Sequence, residues 1–278
     1  MSKNHEENID TSKEESLEKP SKFRAVSLKT MLESGSHFGH HMMHWNPKMA
    51  PYLYGTRNDV HIIDLEETLK MWHDIQRLVE KTTARGGTLL FTGTKHPARE
   101  IIRREAERCG FFYMSNKWPG GLLTNFDTIR ISVQRMRNYE EFIENAEGEN
   151  PTIKVTKKEV LKKKLELEKL VTTFRGIREM KALPDLLFVV DLHKDKIAVQ
   201  EARCLHIPVI GLVDSNADPT SIDYPIPAND DARGTIDLFV SNIAEAALKG
   251  RELYQMSMDK IAAENEIKAE NYIDSKLK

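Results

Sequence analysis

Cysteine is scarce: the 278-residue chain holds two, Cys109 and Cys204. They lie far apart and no CxxC occurs, which excludes a disulfide scaffold and a cysteine-based zinc site. A reduced, cytosolic setting is expected. Long apolar runs are missing too. Nothing approaches the roughly 18 uncharged apolar residues of a membrane span, so no membrane partner is expected. The first 22 residues carry six acids and four bases. They have neither the apolar stretch of a secretory signal nor the acid-poor composition of a transit peptide. They read as a disordered polar tail. Catalytic and nucleotide-binding signatures are likewise absent, since GxSxG, HExxH, GxxxxGK[ST] and GxGxxG do not occur. Thr92-Gly-Thr-Lys-His-Pro does place a Gly and a Lys after a strand. Pro97 follows so closely that no glycine-rich loop is left to cradle a phosphate, and the segment reads as a turn or a contact to RNA backbone. Neither an enzyme nor a cofactor is expected.

Charge is what the chain has in quantity, and it is unevenly spread. Residues are 40% apolar and 30% charged, with a formal net charge of −2. From Lys95 to Arg137 nine bases face four acids, and from Pro151 to Lys181 ten face four. From Ala182 to Lys249 five bases face eleven acids. Such a chain can lay its basic part on phosphate and leave its acidic part in solvent or against a basic partner. A solvated, salt-bridged helical surface is the plainer alternative.

Apolar periodicity divides the chain. A short helix over 27–34 ends at Gly35, and a loop rich in His, Trp and Pro runs to Asp59. Strands are predicted at Val60–Ile63, Thr88–Thr94, Phe111–Tyr113, Leu186–Asp191 and Pro208–Asp214. Helices are predicted over 65–83, 97–109, 196–205 and 231–248. Continuous apolar strands alternating with helices imply a parallel sheet covered on both faces. Between the halves, Phe126, Ile129, Val133, Met136 and Ile143 form a heptad-like seam. Val160, Leu167, Val171 and Phe174 resume it after a Glu-Gly-Glu-Asn-Pro break, as in an antiparallel helical hairpin. The expected organisation is a polar tail over 1–22, an α/β domain over 23–122 and 177–250, an inserted coiled-coil arm over 123–176, and a charged helix or tail over 251–278.

Several residues stand out chemically. His41, His44, Trp45, Asn46, Lys48 and Arg57 suit stacking on exposed bases and hydrogen bonding to phosphate, with packing of this loop under the sheet as the alternative. Asn116, Lys117, Trp118, Thr124 and Asn125 surround the adjacent Gly120 and Gly121 with donors and a stacking surface, at what also reads as a hinge of the arm. Lys95, Arg99 and Arg103 add charge along one helix. Asp191 and Asp214 end strands, where they can hold a cation, do acid–base work or cap the next turn. The one metal arrangement worth entertaining joins them to His37 or His40; no metal is otherwise expected.

Longer segments narrow the reading. Met31-Leu-Glu-Ser-Gly-Ser-His-Phe-Gly-His-His, Trp118-Pro-Gly-Gly-Leu-Leu-Thr-Asn, Leu183-Pro-Asp-Leu-Leu-Phe-Val-Val-Asp and Ile207-Pro-Val-Ile-Gly-Leu-Val-Asp, with Asp223-Tyr-Pro-Ile-Pro-Ala-Asn-Asp-Asp-Ala, closely resemble the bacterial-type small-subunit ribosomal protein S2 family from about Val26 to Gly250. Pro119 and Pro227-Ala228 vary the usual loop wording. The resemblance implies a flavodoxin-like or Rossmann-like parallel sheet with a protruding coiled-coil arm. It implies a structural, ribosome-bound role in translation in the cytoplasm. The partners it implies are small-subunit rRNA and neighbouring ribosomal proteins, among them the large multi-OB protein that captures mRNA, rather than a second copy of the chain. A Rossmann-like nucleotide-dependent enzyme and a free-standing coiled-coil adaptor are the competing readings. The first lacks its phosphate loop, and the second has no use for the His/Trp loops.

Overall fold

The computed structural model describes residues 24–147 and 155–277, with side-chain environments up to residue 262. The tail expected over 1–22 and most of the turn expected between the arm helices lie outside the described residues. In chain order the elements begin with α1 (Leu28–Ser34), β1 (Phe38–His41), β2 (Leu53–Arg57) and β3 (Val60–Ile63). They continue with α2 (Leu65–Thr83), β4 (Leu89–Thr92), α3 (His96–Cys109) and β5 (Phe112–Met114). After these come α4 (Phe126–Glu147), α5 (Lys157–Phe174), β6 (Leu186–Val190) and α6 (Lys196–Cys204). The chain closes with β7 (Val209–Val213), β8 (Tyr224–Pro227) and α7 (Arg233–Leu277).

Five strands form a parallel sheet in the order β5-β4-β6-β7-β8. Counted within that sheet the order is 2-1-3-4-5, the flavodoxin-like winding, whose switch point lies between its first and third strands. Here that point is the gap between β4 and β6. Both faces are buried because successive side chains point opposite ways. Leu89, Phe91, Leu186, Phe188 and Val190 join a core with Trp72, Ile75, Ile101, Phe239 and Ile243 from α2, α3 and α7. Leu90, Leu187 and Val189 join a second core with Ala198 and Val199 of α6, Trp118, Leu122 and Leu123 of the loop between β5 and α4, and Ile129 and Met136 of α4.

Three features differ from the sequence expectation. Val60–Ile63 belongs to a separate antiparallel sheet, β1-β3-β2, folded from the segment read as a loop. Tyr224–Pro227 is a strand despite Pro225 and Pro227. It lies at the sheet's edge, where a missing N–H leaves no ladder partner unsatisfied. The last helix does not stop near Leu248 but runs on to Leu277.

The segment between the halves forms two helices paired in antiparallel sense. Tyr139 of α4 donates to Glu166 of α5 at 2.9 Å, and Lys163 lies over the Tyr139 and Phe142 rings. Glu147, at the far end of α4, pairs with Lys164. Few of their side chains are buried: Ile129 and Met136 on α4, Val160 and Phe174 on α5. The stripe is narrow and the flanks are open.

Candidate nucleic-acid interface

Parallel strands in register deliver their following residues to one edge. Thr92 pairs with Met114 and Val189, Val190 with Leu212, and Val213 with Pro227. The residues after those strand ends therefore meet: Lys95, Asp191, Asp214, Asp230 and Asp231. Lys95 Nζ contacts Asp230 and Asp231 at 2.6 Å each and Asp191 at 3.3 Å. The antiparallel sheet closes over this edge. Its Gly39 passes so near Ser215 that an added Cβ would lie 2.7 Å from the hydroxyl, and Ser215 Oγ accepts from the His40 N–H at 2.7 Å. His40 is thereby held with Nδ1 at 3.1 Å from Asp214 and Nε2 at 3.3 Å from Asp231.

The charges shape one another. Burial pushes Asp230 up to about 7, reinforced by Asp214 and Asp191 and opposed by Lys95. The Asp214 hydrogen bond raises His40, burial opposes it, and the charges of Asp214, Asp230 and Asp231 add to the rise. Burial lowers Lys95, but its bonds to Asp230 and Asp231 more than offset this and the net is upward. His40, Asp214 and Asp230 offer one nitrogen and two carboxylate oxygens within 4.8 Å of one another, a donor set that suits a borderline divalent ion. His37 is not in this group; its ring stacks on Phe38 and its Nδ1 is buried without a partner. Asp191 turns one oxygen to Lys95 and the other to the N–H groups of His193 and Lys194. It caps a turn from a left-handed backbone at φ 71°.

A second buried carboxylate organises the loop at the arm's base. Glu201 of α6 accepts from Trp118 Nε1 at 3.1 Å and from the N–H groups of Gly121, Leu123 and Thr124 at 2.8, 2.9 and 3.1 Å. The Thr124 hydroxyl adds a bond at 3.2 Å. Burial pushes its pKa up, but these donors outweigh the burial and the net is below the ordinary carboxylate range. Trp118 is therefore a buried anchor, 6% exposed. That corrects the expectation that it stacks on RNA. The sequence carried a signal for Glu201: an acid at 201 shares the apolar face of Ala198, Val199 and Ala202.

Replacing Glu201 with Ala should cost about 3 kcal/mol, because each buried donor left unpaired costs roughly 1–3 kcal/mol and water reaches some of them. Denaturant unfolding followed by Trp fluorescence measures it, and a loss under about 1 kcal/mol would show that the loop does not depend on Glu201. The sign with pH follows from the lowered pKa. The stabilisation is present above the unfolded-state value and disappears as pH falls through the folded one.

The remaining predicted residues fall into two exposed groups. Arg99, Arg103 and Asn116 line a cleft of about 440 Å3 between α3 and the arm, together with Arg175, which the sequence reading did not single out. Arg99 Nε donates to the Thr94 carbonyl at 3.0 Å, and Asn116 Nδ2 to the Thr172 carbonyl at 2.8 Å. Arg175 lies 3.9 Å from Glu107. Lys117 and Asn125 are exposed nearby. The second group lies on the antiparallel sheet and on the 3-10 turns joining β1 to β2. His41, His44 and Arg57 are exposed, and Trp45 stacks on His61 with centroids 5.1 Å apart. Asn46 and Lys48 are partly engaged: Asn46 Oδ1 accepts from the Lys48 N–H, and Lys48 Nζ pairs with Asp218 at 2.6 Å. Lys95, expected beside Arg99 and Arg103 on phosphate, is instead committed to the carboxylates.

Comparison with known proteins gives a consistent result. The sequence profile of ribosomal protein S2 matches residues 31–250. The small ribosomal subunit protein uS2 of Coxiella burnetii (strain RSA 493 / Nine Mile phase I) is 46% identical over 244 residues, 88% of this chain and 77% of its own length. That of Chelativorans sp. (strain BNC1) is 47% identical over 232 residues, 84% and 85% of the two chains.

Proposed function

The chain belongs to the ribosomal protein S2 family, and from that premise we propose that it grips small-subunit rRNA chiefly through the cleft between α3 and the arm. Its role is that of a structural constituent of the small ribosomal subunit, ribosome-bound beside other ribosomal proteins. The carrying observation is the convergence of Arg99, Arg103 and Arg175 on one concave surface. Glu100, the acid in that cleft, is directed to Arg233 at 3.3 Å. The exposed His41, His44, Trp45 and Arg57 supply a second contact, with Lys117 and Asn125 flanking the first. The acidic half is left for protein neighbours, among which the large multi-OB protein that captures mRNA is our candidate. The arm acts as a coiled-coil spacer.

The alternative of a nucleotide-dependent enzyme is disfavoured at the place where a flavodoxin-like sheet would hold its ligand. Asp191, Asp214, Asp230 and Asp231 stand at that edge, and their charge repels phosphate.

Phosphate contacts release counterions, so binding falls with salt at a slope of roughly −0.7 to −0.9 per contact. Replacing Arg99, Arg103 and Arg175 with Ala should weaken binding to small-subunit rRNA and flatten that slope by up to about 3. Filter binding across a salt series reads both, and an unchanged slope would take the cleft out of the interface.

A further inference from the structure

We propose that the cleft receives one unpaired nucleotide of the RNA, its phosphate held at the arginine rim and its base or sugar on a floor made by Tyr113 and Ser115. This rests on the RNA reading above and adds what kind of RNA the site takes. At about 440 Å3 the cleft falls in the range of small-molecule sites, roughly 300–1,000 Å3. Its volume is that of a nucleotide-sized group. The floor is recessed, with Tyr113 7% and Ser115 8% exposed, while Arg103 and Arg175 are exposed at the rim. The Tyr113 hydroxyl is held by Glu107 at 2.7 Å, its ring packs against Gly176, and the residue lines the cleft. A duplex presents phosphates on a convex ridge and can touch only the rim. An unpaired nucleotide can be splayed out, so that its base reaches a recess while its phosphate stays between guanidiniums. Thr172 and Thr173 of α5 and Asn116 complete the lining.

The test uses the full-length protein and fluorescence anisotropy with two probes, a short labelled single-stranded RNA and a blunt RNA duplex of the same length. A nucleoside 5′-monophosphate and inorganic phosphate serve as competitors. Ser115→Leu fills the floor and spares the rim; Arg103→Ala with Arg175→Ala does the reverse. The floor variant should weaken the single strand about tenfold, the scale of one lost base contact, and leave the duplex unchanged. The rim variant should weaken both. The monophosphate should compete at lower concentration than inorganic phosphate. If Ser115→Leu does not melt like the parent protein, Thr173→Trp overhangs the same floor from the arm and takes its place. Equal binding of both RNAs in floor-filled and parent protein, with the rim variant still impaired, would overturn the nucleotide-pocket proposal while leaving the RNA role standing. Insensitivity to floor and rim variants alike would overturn both the pocket and the cleft's part in RNA binding.

Discussion

Lys95→Met is expected to destabilise the protein by about 3 kcal/mol, the lower end of the range for removing one partner from a buried ion pair. The lower end applies because Asp231 keeps 56% of its side chain in solvent, whereas Asp230 is 2% exposed and cannot escape. The loss should depend on pH with a defined sign. Asp230 is raised from 3.8 to about 7, so the folded state holds its proton more tightly than the unfolded chain. Its ionisation therefore erodes stability as pH rises from about 4 to about 7. Without the Lys95 ammonium that value moves higher still. The raised His40 acts in the same direction. It contributes fully below its ordinary value of 6.5 and fades as pH passes its folded value. The variant should thus be closest to the parent protein near pH 5 and furthest from it near pH 8. Urea unfolding at the two pH values measures this, and an equal loss at both would mean that the carboxylates are not held together by Lys95.

Replacing Phe126 to Thr173 with a Gly/Ser linker should leave a protein that melts cooperatively but enters small subunits at no more than about a tenth of the parent level. The basis is how binding is divided. The two sheet-centred cores draw on α2, α3, α6, α7 and the strands, which can fold as a unit. The deletion nonetheless removes Ile129 and Met136 from the second core, so the melting temperature should fall. Met136→Ala alone should cost about 2–5 kcal/mol, as buried Met truncations do. Incorporation should suffer more than stability, because one wall of the arginine cleft and the arm's basic flanks leave together. Thermal melting and the variant's share of the small-subunit peak in a sucrose gradient read the two effects. Loss of cooperative melting would make the hairpin part of the core. Parent-level incorporation would pass the principal RNA contact to His41, His44 and Trp45 at the end of β1 and the turn after it.

Much was legible in the residues alone. Uninterrupted apolar runs such as Leu186–Val190 mark strands buried on both faces, because only a covered parallel sheet hides every side chain of a strand. The spacing of Phe126, Ile129, Val133 and Met136 marks a helix with one narrow buried stripe, and Gly110 marks where α3 ends in a left-handed cap. The family resemblance, carried by segments long enough to be specific, indicated the ribosomal role. Other features were decided only by the tertiary structure. His40, Lys95, Asp191, Asp214, Asp230 and Asp231 lie far apart in the chain, and only parallel register and a close approach at Gly39 bring them to one edge. There Lys95 finds carboxylates within 2.6 Å and ceases to be a surface base. Trp118 reads as a stacking residue until α6 supplies Glu201 as its acceptor. Arg175 gains meaning from α3 across the cleft. Periodicity and local propensity report which face of an element is buried, because that depends on neighbours a few residues away. Which charges meet depends on chain crossings separated by up to about two hundred residues, such as the 191 between His40 and Asp231, and no local pattern encodes them.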